Sequence, residues 1–77
     1  MKGIIFTEFL DLVEDKFGLE VVDRIIEQSN LPSEGIYTAI GTYDFSEMLS
    51  LLKHLSQHSG LSIDEILLTY AEHIFSV

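Results

Sequence analysis

Between residues 4 and 17 the apolar positions recur with a helical rather than an extended rhythm. Ile5, Phe6, Phe9, Leu10, Leu12, Val13 and Phe17 fall within about 160° of a 3.6-residue wheel, and Glu8, Asp11, Glu14 and Asp15 fill the opposite side. The pattern predicts an amphipathic helix over 4–17 with a wide apolar face. Gly18 stands where a left-handed C-terminal cap belongs. A second helix is predicted over 19–29, with Leu19, Val22, Ile25 and Ile26 buried and Asp23, Arg24 and Glu27 in water. Asn30 and Pro32 end it. The period then disappears. Residues 30–43, "NLPSEGIYTAIGTY", hold Pro32, Gly35 and Gly41, which punctuate turns. Ile36, Tyr37, Ile40 and Tyr43 make the segment too apolar for a loose linker. It reads as a packed connection with one short turn of helix, and connections of this length are often functional.

The next two helices are marked at their starts. Asp44 and Glu47 have capping-box spacing, with Tyr43 and Met48 as a hydrophobic staple; Ser62 and Glu65 repeat the box, with Leu61 and Ile66. Helices are predicted over 44–59, with Phe45, Met48, Leu49, Leu52 and Leu55 on the core face, and over 62–77, with Gly60 between them. The last helix carries two apolar stripes. Ile63, Ile66, Leu67, Tyr70, Ile74 and Val77 form the expected core face, and Leu68, Ala71 and Phe75 form a second ridge. The predicted fold is an all-α single domain, 1–77, of about four amphipathic helices. So small a bundle has little left to cover that ridge, so a cofactor, a further part of a longer chain or a second copy is the expected cover. An imperfect wheel, with Phe75 folding back locally, is the plainer alternative. The last helix also has no terminal signal, which reads as a cut through a longer domain.

Composition narrows the function. Thirteen Asp and Glu stand against four Lys and Arg, a formal net charge of -9. Lys2, Lys16, Arg24 and Lys53 are scattered, so no basic patch is available for nucleic acid or an anionic membrane. Without cysteine there is no disulfide, zinc–thiolate or thiol chemistry. No apolar run has the length of a membrane span, and the N-terminus does not read as a signal peptide. A cytoplasmic protein is expected.

Candidate chemistry is sparse. His54 and His58, in "HLSQH", are one helical turn apart and could share a divalent metal, but no third ligand is evident, and two solvated histidines are the expected reading. His73 sits at the edge of the core stripe, as a boundary residue or a ligand. Glu14 and Asp15, or Asp64 and Glu65, are neighbours whose side chains diverge by about 100° on a helix, which makes poor acid–base dyads. No nucleophile stands beside a base, and no glycine loop cradles phosphate. Enzyme activity is not expected.

"MKGIIF" with Phe9, "FG" at 17–18, and "GIYTAIGTYDFSEMLSLLKHLSQHSGLSIDEILLTYAEHIF" resemble, in register, the H-NOX or haem–NO-binding (HNOB) family over essentially the whole chain. The resemblance implies the N-terminal helical subdomain of a haem-based nitric oxide sensor. Full-length members hold haem between this subdomain and a larger α/β subdomain, and signal to partners such as a histidine kinase or a cyclic-di-GMP enzyme. By resemblance, Ile5, Phe9 and Ile74 match positions on the distal haem wall. An apolar Ile74 favours NO over O2, which is stabilised by a hydrogen-bond donor. The proximal histidine and the Tyr-x-Ser-x-Arg propionate clamp match nothing up to Val77, and none of His54, His58 or His73 occupies the ligand position. Ala71 stands where many relatives have glycine, and His73 where many have an aromatic residue. Haem is therefore expected in the complete family domain and not on this chain alone. The ridge Leu68, Ala71 and Phe75 is expected to meet the C-terminal subdomain or a second copy. The alternative is a stand-alone, haem-free interaction or dimerisation module.

Overall fold

Four helices carry the chain in the computed structural model, which describes residues 1–75. They are α1 (Gly3–Phe17), α2 (Leu19–Ser29), α3 (Phe45–Ser59) and α4 (Ile63–Phe75). The expected burial of Val77 lies outside the described residues. Each helix packs on its chain neighbour, α2 on α3 across the long connection included, and α4 closes the ring against α1. Among the described residues no strand forms; an isolated antiparallel bridge joins Lys2 and Thr42.

The core is built first from α1. Phe6, Phe9, Leu12 and Val13 are buried, and they meet Val22 and Ile25 of α2, Leu31 of the connection, Met48, Leu51, Leu52 and Leu55 of α3, and Ile66 and Tyr70 of α4. Full burial of Phe6 and Phe9 contributes roughly 2–3 kcal/mol each. Expected core assignments on three helices are corrected. Phe45 and Leu49 are exposed, because the buried stripe of α3 runs through Met48, Leu51, Leu52 and Leu55 and leaves Phe45 and Leu49 beyond its edge. Leu19 is exposed at the first position of α2, ahead of the contact made by Val22 and Ile25. On α4 only Ile66 and Tyr70 are buried, while Ile63, Leu67 and Ile74 are part-open to solvent. A single α4 face meets the bundle at those two residues, so its apolar flanks have nothing beside them.

The corners follow local chemistry. Gly18 is not the left-handed cap expected: φ 95 with an extended ψ of 162 turns α1 directly into α2, and its N–H donates to Glu14 O. Asn30 ends α2 in the left-handed region. Gly60 ends α3 the same way, with its N–H on Ser56 O. The Ser62 capping box forms: Glu65 N–H donates to Ser62 Oγ at 3.1 Å and Ser62 N–H to Glu65 Oε1 at 3.3 Å. The Asp44 box does not. Asp44 accepts from the Ser46 hydroxyl, and Glu47 turns inward to 5% exposure. There its Oε1 accepts from Ser33 Oγ at 2.6 Å and from Tyr37 OH at 3.0 Å. Two hydroxyls of the connection, otherwise left without an acceptor, draw the carboxylate away from the helix end.

The connection 30–43 holds turns and no helix, another correction. Glu34 and Gly35 both have positive φ, with Ile36 N–H on Ser33 O, the signature of a type I′ turn. Tyr37 stacks on Phe6 at 4.4 Å, and Tyr43 meets both rings edge-on. The segment then passes under the start of α1. Gly3 N–H donates to Gly41 O at 2.8 Å and Ile4 N–H to Ala39 O at 3.1 Å. Contact is so close that a Cβ on Gly3 would stand 1.6 Å from Thr38 O. Backbone cannot swing aside as a side chain can. Gly3→Ala is expected to destabilise the chain by about 3 kcal/mol, seen as a lower urea midpoint at unchanged m-value; a change within ~0.5 kcal/mol, the range of an unremarkable surface substitution, would refute the close approach.

Candidate functional site

An apolar concavity of about 340 Å³ lies between the first turns of α1 and the end of α4, lined by Ile4, Ile5, Glu8, Tyr70, His73 and Ile74. The helical repeat places these residues. Ile4 and Glu8 are one turn apart on α1, and Tyr70, His73 and Ile74 share a face of α4. Ile4 and Ile74 are each more than two-fifths exposed, so an apolar surface faces solvent here. Tyr70 joins the two helices. Its hydroxyl donates to Ile5 O at 2.6 Å, and its ring meets Phe9 edge-on at 5.5 Å. That bond takes the only proton the hydroxyl has, leaving none for a guest.

Of the three residues expected on the pocket wall, Ile5 and Ile74 line the concavity. Phe9 does not: it is fully buried and backs the wall through Tyr70. On the ridge, Leu68 is 62% and Phe75 85% exposed, with Ala71 half-buried between them. Ile4, Glu8 and Tyr70 were not singled out as lining residues by sequence reasoning. The available signal was the one-turn spacing of Ile4 to Glu8 and of Tyr70 to Ile74, which puts each pair on one face.

The histidines divide. His73 lines the rim, its Nε2 3.9 Å from Glu8 Oε2, a distance that becomes an ion pair when the ring is protonated. His54 is not the solvated residue expected. It is half-buried, with Nδ1 2.7 Å from Ser50 O and 3.2 Å from Ser29 Oγ. A carbonyl can only accept, so Nδ1 carries the proton and ties α3 to α2. His58 is exposed. Among the described residues no group of three or more His, Asp or Glu is placed to hold a metal ion. Glu14, Asp15, Asp64 and Glu65 are all exposed, and Glu65 is engaged as the partner of Ser62. A larger depression, about 480 Å³, runs along α2, but Glu20, Asp23, Arg24, Glu27 and Gln28 give it charged and polar walls. No described helix is long and apolar enough to cross a membrane.

Four packed helices with a part-open apolar concavity between α1 and α4 define a small helical unit, and among the described residues no group is placed to hold a metal ion. The Haem-NO-binding (HNOB) family pattern matches residues 2–77. This chain belongs to that family. It superposes on the crystal structure of the Fe(II) unliganded H-NOX protein from K. algicida with a TM-score of 0.96 and 75% identity over 99% of its length. The A71G mutant of the same protein matches with a TM-score of 0.96 and 74% identity. In both cases the chain spans 41% of the relative's length. It corresponds to the N-terminal helical subdomain of the H-NOX fold. No curated protein matches it.

The phenols give a test that needs no ligand. Tyr37 and Tyr70 are both pushed up from the ordinary 10 to about 12, chiefly by burial, which disfavours the phenolate; the Glu47 carboxylate adds to this at Tyr37 and Glu8 at Tyr70. The folded chain therefore binds these protons more tightly than the unfolded chain. Their contribution is intact below pH 10 and is lost as pH rises towards 12. Urea titrations should show unfolding free energy falling over that window, with a shallower fall in the Tyr37→Phe/Tyr70→Phe double variant. At neutral pH, Tyr70→Phe alone should cost about 1 kcal/mol for the bond to Ile5 O. An identical alkaline slope in the double variant would refute the assignment.

Proposed function

We propose that this chain is the distal helical subdomain of a haem-based nitric oxide sensor. The concavity between α1 and α4 carries the reading, because two of its lining residues, Ile5 and Ile74, are the ones that the family resemblance assigns to the distal haem wall. The lining fits one face of an apolar macrocycle: Ile4, Ile5 and Ile74 exclude water, and Phe9 stiffens the wall from behind through Tyr70. Haem bound by the complete domain supplies an iron that takes a diatomic gas. What this chain supplies is a wall poor in donors. Ile4, Ile5 and Ile74 have none, the Tyr70 hydroxyl is held by Ile5 O, and the ring N–H of His73 belongs to the rim beside Glu8. Bound O2 is stabilised by a donor and NO does not require one, so this wall favours NO.

In this reading the chain is non-catalytic and cytoplasmic, and its ridge at Leu68, Ala71 and Phe75 meets the C-terminal subdomain, or a second copy when that subdomain is absent. The exposure of Leu68 and Phe75 supports an occupant there. The complete protein would pass its signal to a histidine kinase or a cyclic-di-GMP enzyme. The iron ligand and the propionate clamp lie outside this chain.

Haem titrated into the 77-residue chain should therefore bind weakly, without a stoichiometric endpoint, and the Soret band should be indifferent to replacing His54, His58 and His73. Tight, stoichiometric, histidine-dependent binding would overturn the placement of the ligand elsewhere. The reading frame should continue past Val77 into a histidine-bearing helix and a Tyr-x-Ser-x-Arg segment, and its product should hold haem and shift its Soret band with NO. A frame that stops at Val77, with a product that retains no haem, would leave the stand-alone module as the surviving alternative.

A further inference from the structure

We propose that Glu47, at the start of α3, is a positioning residue for the α1 side of the concavity, acting through the connection 30–43. The proposal deepens the reading of that concavity as a ligand wall and rests on it for its functional meaning.

Glu47 touches no part of the concavity. It is 5% exposed, and a single oxygen, Oε1, takes both the Ser33 and the Tyr37 hydroxyl protons. Tyr37 is then fixed at both ends, its hydroxyl by Glu47 and its ring by the Phe6 stack. The next residue, Thr38, donates its N–H to the Tyr43 hydroxyl at 2.8 Å, and its carbonyl accepts from Gly41 N–H at 3.1 Å. The turn so formed presents the Ala39 and Gly41 carbonyls to Ile4 and Gly3. Those two amides open α1, and Ile4 and Ile5 follow directly into the concavity. The path is continuous: carboxylate, phenol, turn, helix start, wall. The pairing of Met1 with Tyr43 holds the end of the connection beside this path, so loosening the carboxylate loosens the helix start in part, and before it loosens the core.

A merely structural Glu47 would lower global stability and nothing more. All slowly exchanging amides would then speed up together. A positioning Glu47 predicts a local effect. Amide hydrogen exchange by NMR on the 77-residue chain separates the two. In Glu47→Met, which keeps the length and removes the acceptor, the Gly3 and Ile4 amides should exchange on the order of tenfold faster relative to Leu52 and Leu55, inside α3. The Ile4 and Ile5 methyl resonances should shift with them. Glu47→Gln retains an acceptor oxygen and should restore both readouts. If Glu47→Met does not fold, Tyr37→Phe keeps the ring stack, deletes one of the two bonds and should give the same pattern at smaller amplitude. The proposal is overturned if Gly3 and Ile4 track Leu52 and Leu55 in whichever of the two variants folds, or if Glu47→Gln behaves as Glu47→Met. None of these readouts involves haem. A failed haem experiment therefore leaves them standing, and their failure leaves the haem reading untouched.

Discussion

The first turn of α1 has no cap of its own. Lys2 offers no side-chain acceptor, and a helix start without one leaves backbone N–H groups unsatisfied. Each such group, once buried, costs about 1–3 kcal/mol. The carbonyls of Ala39 and Gly41 meet that demand from nearly forty residues away in sequence. Much else depends on this contact. It requires glycine at position 3, because Thr38 O occupies the space of a side chain. It requires the connection to be packed and rigid, hence the rings of Tyr37 and Tyr43 on Phe6 and the inward carboxylate of Glu47. It also orients the helix that contributes Phe6, Phe9, Leu12 and Val13 to the core.

The same contact explains what could be read from the sequence and what could not. Helices with strong period and local end signals were legible: Gly18, Asn30, Gly60 and the Ser62–Glu65 box act within a few residues of themselves. The error at Asp44 and Glu47 has the same spacing as the correct inference at Ser62 and Glu65. What differs is the neighbourhood. Ser62 is exposed and its box has no competitor, whereas Ser33 and Tyr37 arrive from the connection and claim Glu47. Spacing along a chain cannot announce a partner from another turn of the fold. For the same reason, the wheel placed Phe45 and Leu49 inward: it reports that a face is apolar and not which neighbour it meets.

The motif that made the family recognisable, "LSQHSGLSIDE", is chemistry of a corner and not of a ligand site. Ser56 donates to Leu61 O at 2.6 Å, Ser59 Oγ accepts from Leu61 N–H at 3.1 Å, Gly60 takes the left-handed turn, and Ser62 with Glu65 starts α4. Every polar residue in it but Gln57, His58 and Asp64 has a structural bond within a few residues. The aromatic connection is likewise a cap for α1. The site residues are plainer. Ile4, Ile5 and Ile74 look like any core aliphatics in a sequence, and only the absence of something packed on them marks them out. Family resemblance singled out Ile5 and Ile74 where composition and spacing could not. It also singled out Phe9, which backs the wall rather than lining it.

The concavity lies where the bundle is held most lightly. α4 commits just Ile66 and Tyr70 to the core, and its apolar flanks at Ile63, Leu67, Leu68, Ile74 and Phe75 stay open. Across the seam with α1, the Tyr70 hydroxyl makes a direct hydrogen bond to Ile5 O, and the His73–Glu8 pair at the rim is longer and half-exposed. A half-exposed pair of this kind is worth ~1 kcal/mol at most, so the tilt of α4 against α1 rests mainly on Tyr70 and the packing of its ring on Phe9. The α1 side is fixed from the far end by the connection, and the α4 side by Tyr70 on α1 and by Ile66 in the core. A change in the tilt of α4 would reshape the wall, because Tyr70, His73 and Ile74 all ride on that helix. A partner surface on the ridge of that same helix would feel any such movement directly, which joins the apolar site to the uncovered ridge without a further element between them.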